Sequence, residues 1–561
     1  MLRSARNPCS AHKPCHPSIA AFAGVVLMLI VAGVSGQDYN WDLLNYHFAS
    51  PELLLSGRSE VHVAPSGLQS WFNPIGYIPA YLMIEHLPPW LASALLAAAV
   101  GLNAPLIYLI ADRVGAGLGG AGLGGAGLGG VARVRSNYAC VAIGMSGAVV
   151  FSEAGTSFLD CTLSIAVLGA VLAAIDAVRA IERTRAMRLF AVSGALLGMA
   201  CGLKLTIAVF AVGMAVAVGL LVLFRYLSPL TIVMLAMGGA IGFALTGGWW
   251  AWRMWDMFGN PVFPMFNDMF ASPAAPAVAT VDTTYLPQGW AGIVTYPWHW
   301  LIGDTMPGSE IALRDRRYPV ALVVSLIVAV MAVRKIRVRQ QAAALLVALF
   351  CLASYLVWLF AFSILRYLAP IEMLAGVALL AGLRMLPAKM AQHIGVVMIG
   401  AALLLSLTTR HEVWGRARFG GDWFGVGGID AIHRPNTVYV LPGDTPLGFM
   451  IHLFPDDARF MRIGGTFPLS IDDGLGAKAA AMIDAAPRLV SLSAIPMPPH
   501  EIAALRRFGL RRANGRCGVI KTKTADVETC ELQRVAPVST TVTPAASHAM
   551  RSGAATMSVT R

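Results

Sequence analysis

Charge is what this chain has least of. Asp, Glu, Lys and Arg make up 13% of its 561 residues, about half the share found in a soluble domain. That deficit excludes a soluble globule. Acidic residues are the scarcer sign, 30 against 42 basic ones, which leaves a formal charge of +12. In a soluble protein such an excess raises the question of nucleic acid. Here the basic residues stand in short clusters between apolar runs, as the positive-inside rule expects. No nucleic-acid motif accompanies them, so nucleic acid is excluded as a partner. Protease, hydrolase and nucleotide signatures are missing too: no HExxH, GxSxG or P-loop lysine motif occurs. Residues 115–130, GAGLGGAGLGGAGLGG, match GxGxxG in form only, because no strand precedes them. They read as a flexible cytoplasmic linker.

Cysteine is sparse, with eight in the chain. Cys140, Cys161, Cys201 and Cys351 fall in or beside apolar runs and read as packing residues. Cys9 and Cys15 lie in a polar leader, and no second pair completes a zinc set. Cys517 and Cys530 are the one pair in the polar tail and can form a disulfide in an oxidising compartment.

What is abundant is apolar sequence, 57% of residues. The runs predict an α-helical multi-pass membrane protein of about eleven spans. Residues 1–17 form a basic cytoplasmic leader, followed by an uncleaved signal anchor over 18–36. Further spans are expected near 89–111, 137–152, 160–177, 189–203, 205–224, 229–248, 318–333, 341–363, 368–383 and 391–408. Residues 189–224 read either as two spans or as one long helix. The segment NPIGYIPAYLMIEHLPPW is too short and proline-rich to cross, and reads as a helix along the outer interface. With the leader inside, each basic cluster between spans falls on the cytoplasmic side. The transmembrane domain then covers 18–410, and 411–535 is a small α/β domain outside the membrane. In it NTVYVLP, ARFMRIG, RLVSLS and GVIKTK read as strands, and GAKAAAMIDAA and PHEIAALRRF as helices. Residues 536–561 are expected to be disordered.

This threading places a set of ionisable residues on the outer face. The first loop, NWDLLNYHF, holds Asp42, Asn45 and His47, with Asp38 just before it. Glu153 and Asp160 follow in the second outer loop, Lys204 at the third outer turn, and Arg366 at the outer end of a later span. Ionisable residues at lipid depth are costly and point to function. Each also has an ordinary explanation. Asp160 can cap the helix it begins. Lys204 and Arg366 can reach to headgroups. Glu372 can pair with a nearby base, and His47 reads as a positioning group, since no second histidine stands at ligand spacing. As chemistry, a carboxylate can take a hydroxyl proton, and cations can stabilise charge growing on a phosphate.

In order and sidedness these residues resemble the GT-C superfamily of polyprenyl-phosphate-sugar glycosyltransferases, which includes protein O-mannosyltransferases and the aminoarabinose transferase of lipid A. The resemblance covers roughly residues 18–410. Asp42 matches the family's catalytic acid in the first outer loop, and Asp160 its second acidic residue. GNPVFPMFN (259–267), after GGWWAWRMW (247–255), is similar to a segment of many bacterial members. RYLAP (366–370), with Arg366 and Tyr367, resembles their outer arginine-tyrosine motif. Many relatives carry an Asp-Glu pair in the first loop. Here Asp38 and Asp42 stand four apart, so both remain candidates for the base, and Asp42 is favoured by its place in the polar cluster.

The resemblance implies a GT-C-like helical fold in the inner (cytoplasmic) membrane. It implies transfer of a hexosyl or pentosyl group from a polyprenyl-phosphate donor to a hydroxyl of a cell-envelope glycan, lipid or protein. Asp42 would act as general base, with Asp38, Asn45, His47, Glu153 and Asp160 positioning the reactants. Lys204, Arg366 and Tyr367 would hold the lipid phosphate. No cofactor is assigned, although an acidic pair can hold a divalent metal. The competing expectation is a transporter or flippase of lipid-linked sugars. That class places charges or broken helices at mid-membrane and shows internal repeats. No repeat is visible here, and the charges sit at outer ends.

Overall fold

The computed structural model describes residues 16–115, 128–280, 282–303, 308–335, 339–386, 388–523 and 525–535. Most of the leader, the centre of the glycine-rich linker and the 536–561 tail lie outside these residues. The chain forms a multi-pass helical membrane protein with a small sheet-bearing region. It divides into two compact units. One holds Met1–Ser35, Ser93–Gly247 and Tyr285–Trp414; the other holds Gly36–Ala92, Gly248–Thr284 and Gly415–Arg561. The second unit therefore gathers 36–92 and 248–284 with the residues from Gly415 onward.

In the helical unit each expected run contains a helix, but not every helix qualifies as a span. Seven are long and apolar enough among the described residues: His16–Ser35, Pro89–Gly115, Asp160–Arg179, Arg183–Leu203, Leu205–Leu223, Gln341–Ala361 and Leu365–Arg384. Leu230–Thr246 qualifies only when joined to Gly248–Phe258 beyond a break at Gly247. Arg317–Ala332 and Ile394–Ser406 are apolar but shorter. The run expected at 137–152 is divided between helices Leu128–Met145 and Ala148–Glu153. The count of about eleven is thus not reached by length and composition alone.

The 189–224 region is two helices. Arg183–Leu203 stops where Lys204 turns extended, at φ −146° and ψ 113°, and a short 3-10 turn leads into Ala208–Leu223. The first of these helices lies directly against Leu230–Thr246. A Cβ at Gly194 would stand 2.0 Å from the Leu235 carbonyl oxygen, and one at Gly198 2.0 Å from that of Gly239. Small residues four apart allow this backbone approach inside a membrane, where dispersion contacts replace the hydrophobic drive. The packing fixes the end of the helix that delivers Lys204.

The α/β unit is built on a five-stranded sheet. Thr437–Leu441 lies at its parallel centre, between Arg459–Arg462 and Arg488–Ala494. Arg488–Ala494 then pairs antiparallel with Val527–Arg534, which pairs with Leu510–Ile520. The hydrophobic runs of the first three strands match burial on both faces. Helices Gly474–Ala485 and Pro499–Arg507 place Leu475, Ala479, Ile483, Ala504 and Leu505 in the core beside Val438, Val440 and Leu489. Cys517 and Cys530 face each other across the last hairpin and are joined as a disulfide.

The segment 36–92 is stitched into this unit. Gln37–Asp38 pairs antiparallel with Arg416–Ala417. Val63 bridges to the sheet by accepting from the Arg462 amide at 3.0 Å and donating to the Phe460 carbonyl at 2.9 Å. Arg462 is the polar centre of the assembly, at 2% exposure. Its guanidinium donates to the carbonyls of Pro65 and Thr445, each at 3.2 Å, to that of Gly443, and to Asn45 Oδ1 at 3.1 Å. Burial pushes its pKa down to about 10, which leaves it charged at neutral pH.

Replacing Arg462 strands several buried acceptors at once. Arg462→Ala should lower stability by at least about 3 kcal/mol, since each unsatisfied buried group costs about 1–3 kcal/mol. Arg462→Lys should rescue little, because an ammonium cannot reproduce the fork. Limited proteolysis of the 36–92 segment reads the loss. Wild-type resistance in the alanine variant would refute this role.

Candidate functional site

The residues marked out by the sequence fall into two groups, one in each unit. In the α/β unit the first group forms a compact turn. Asp38, fully buried, accepts from the Asn40 backbone amide at 3.0 Å and from Asn40 Nδ2 at 2.7 and 2.9 Å. Asn40 Oδ1 in turn accepts from the Leu43 amide at 2.7 Å. These local bonds set up a wide π-type turn over Leu43–His47, a geometry that often marks functional positions. Asp42 stands at its head with 8% exposure. Asp38 is thus engaged in shaping the turn, while Asp42 opens it.

Asn45 and His47 are built into the unit's interior. Asn45 Nδ2 donates to the Ser66 carbonyl at 3.1 Å, and its Oδ1 accepts from Arg462. Gly448 permits this fit, because a Cβ there would stand 1.9 Å from the Asn45 carbonyl oxygen. His47 stacks on Tyr77 with ring centroids 4.2 Å apart and meets Tyr46 edge-on at 4.4 Å. Among the described residues, the gathering of three metal-capable ligands is Cys517, Glu528 and Cys530, and there the two sulfurs are joined to each other.

The second group lies in the helical unit, where chain breaks bring the charges together. Lys204, at the break after Leu203, reaches both oxygens of Asp160 at 2.7 Å. The two side chains are 10% and 2% exposed, so Lys204 points inward and does not snorkel. Arg366 sits in a 3-10 turn, Leu365–Leu368, that follows left-handed Ser363 and precedes Pro370. Proline at the start of a helix fixes the turn that presents the arginine. Its Nε lies 3.3 Å from Glu310. The guanidinium is stacked 4.6 Å from the Phe158 ring centroid and 5.1 Å from that of Tyr367. Lys204 Nζ also stands 5.1 Å from the Tyr367 ring. One tyrosine therefore serves both cations.

Asp160 does not cap its own helix. It is the first residue of that helix, with Leu159 at the cap position, and among the described residues its carboxylate is taken by Lys204, whereas Glu153 accepts from the Cys161 amide at 3.1 Å. Glu153 is 1% exposed, and its second oxygen meets no hydrogen-bond donor among the described residues. Glu372 likewise serves backbone: it accepts from the amides of Val149 and Val150 at 3.1 and 3.0 Å and lies 4.0 Å from Arg317. Asp315 accepts from the third amide of that helix start, Ala148, at 3.3 Å and pairs with Arg317. Sequence reasoning missed Phe158, Glu310, Asp315 and Arg317. The last two had a signal, an aspartate enclosed by arginines in LRDRRYP just before an apolar run.

No family model matches the sequence, and no curated protein sequence matches it. Solved structures do match. The crystal structure of ArnT from Cupriavidus metallidurans bound to undecaprenyl phosphate is 16% identical at a TM-score of 0.40, over 68% of this chain and 63% of its own. The match thus spans less than two thirds of that chain's length. The structure of ArnT from Cupriavidus metallidurans in the apo state is 13% identical at a TM-score of 0.41, over 92% of this chain and 98% of its own.

Proposed function

We propose that this chain is a membrane glycosyltransferase. It moves a sugar from a polyprenyl-phosphate donor to an acceptor hydroxyl at the outer face of the cytoplasmic membrane. The observation that carries the reading is the meeting of Lys204 and Arg366 at Tyr367. Two cations from separate chain breaks converge there, inside a unit made largely of apolar helices. A lipid phosphate needs cations at the depth of its headgroup, and an arginine fork suits a phosphate's oxygens. Phe158 and Tyr367 keep the guanidinium oriented from its faces.

In this reading Asp42 takes the proton of the acceptor hydroxyl as that oxygen attacks the anomeric carbon. The bond from the sugar to the phosphate oxygen breaks, and the electron pair stays on the lipid phosphate. Lys204 and Arg366 stabilise that developing charge. Asp38 holds the turn that aims Asp42, and Glu153 and Asp160 set the position of Lys204.

Asp42→Asn keeps the shape and removes the base. Purified variant should lose transfer by at least about a hundredfold, the usual contribution of a general base, while expression and membrane insertion stay normal. A strain carrying only this variant should accumulate the polyprenyl-phosphate sugar and make an under-glycosylated product, read by lipid mass spectrometry. Wild-type turnover by Asp42→Asn would sink the assignment.

The same reading requires the tail to lie on the acceptor side. Cys517 and Cys530 should then resist a membrane-impermeant thiol reagent on intact cells and react only after reduction. Labelling that needs a broken membrane would put the tail, and Asp42 with it, on the wrong side.

A further inference from the structure

Both cations are already paired with carboxylates, and the two pairs differ. Asp160 meets Lys204 through both oxygens at 2.7 Å and is almost fully buried. It begins a long helix, so moving it would disturb the packing of that helix. Glu310 meets Arg366 at 3.3 Å, its side chain is 29% exposed, and it lies in an irregular segment just past Gly308. One counter-ion is held at a helix start, and the other stands on an irregular segment with its side chain partly exposed.

The proposed reaction gives this difference a use. The donor is a phosphate diester with one ionisable oxygen. When the bond to the sugar breaks, the departing lipid phosphate is a monoester and carries a further negative charge. Cations that stabilise this charge also bind the product more tightly than the donor. Release then becomes the slow step unless something competes for the cations. A tethered carboxylate competes at high effective concentration. We propose that Glu310 is an exchangeable counter-ion for Arg366: it yields to the phosphate during transfer and returns to displace the lipid phosphate afterwards. The proposal rests on the reading of Lys204 and Arg366 as the phosphate site.

The test is equilibrium binding of undecaprenyl phosphate to the purified full chain, with steady-state turnover alongside. Glu310→Gln removes the competing charge and keeps the volume. It should tighten binding on the order of tenfold, equivalent to about 1.4 kcal/mol, and lower kcat without raising KM. Glu310→Ala should do the same if the charge is what matters. Arg366→Ala should weaken binding, and Glu310→Gln combined with Arg366→Ala should show no gain over Arg366→Ala alone. Unchanged or weaker binding in Glu310→Gln, with Arg366→Ala still weakened, would overturn the exchange and leave the phosphate site standing. Unchanged binding in both Arg366→Ala and Lys204→Ala would instead overturn the phosphate site itself.

Discussion

A charge placed among apolar helices must find a partner there, because neither lipid nor packed side chains will solvate it. The helical unit meets this constraint residue by residue. Glu372 and Asp315 take the first amides of the helix Ala148–Glu153. Glu153, at the other end of that helix, takes an amide at the start of Asp160–Arg179. Asp160 is then left for Lys204. The sequence of partnerships runs from one helix start to the next and ends at a lysine beside Tyr367. Removing any one partner would strand a buried charge or a row of helix-end amides.

Part of the α/β unit was legible in the chain: NTVYVLP, ARFMRIG and RLVSLS contain the strands Thr437–Leu441, Arg459–Arg462 and Arg488–Ala494, GVIKTK overlaps only the end of Leu510–Ile520, and GAKAAAMIDAA and PHEIAALRRF are helical. The fifth strand, Val527–Arg534, went unread because VETCELQR alternates small, charged and polar residues with little aliphatic weight. It is held by pairing on both sides and by the Cys530 bridge, which a local pattern does not reveal. Arg462 was hidden for the opposite reason. Arginine in a strand reads as solvent-facing, and only the 36–92 loop covering it makes it interior.

The helix breaks were legible in part. Lys204 and Arg366 were marked because they interrupt apolar sequence, and the structure pairs each with a carboxylate. Their partners were not equally visible. A cap was the ordinary alternative for Asp160, since helix starts favour acids, yet Glu153 takes the Cys161 amide and Asp160 takes the lysine. Glu310 lies more than fifty residues from Arg366 in an aromatic loop with several acids, and nothing local distinguishes it. Pairings set by tertiary packing leave no periodic trace.

The α/β unit is assembled from three stretches of chain with membrane helices between them. Arg416 finds the Gly36 carbonyl across 380 residues. During synthesis the first stretch emerges long before its partners exist, carrying the unpaired edge of Gln37–Asp38 and the apolar side chains that later face the sheet. The unit can therefore close only once the stretch that starts at Gly415 has joined the two made before it, so its folding trails the membrane helices that separate them.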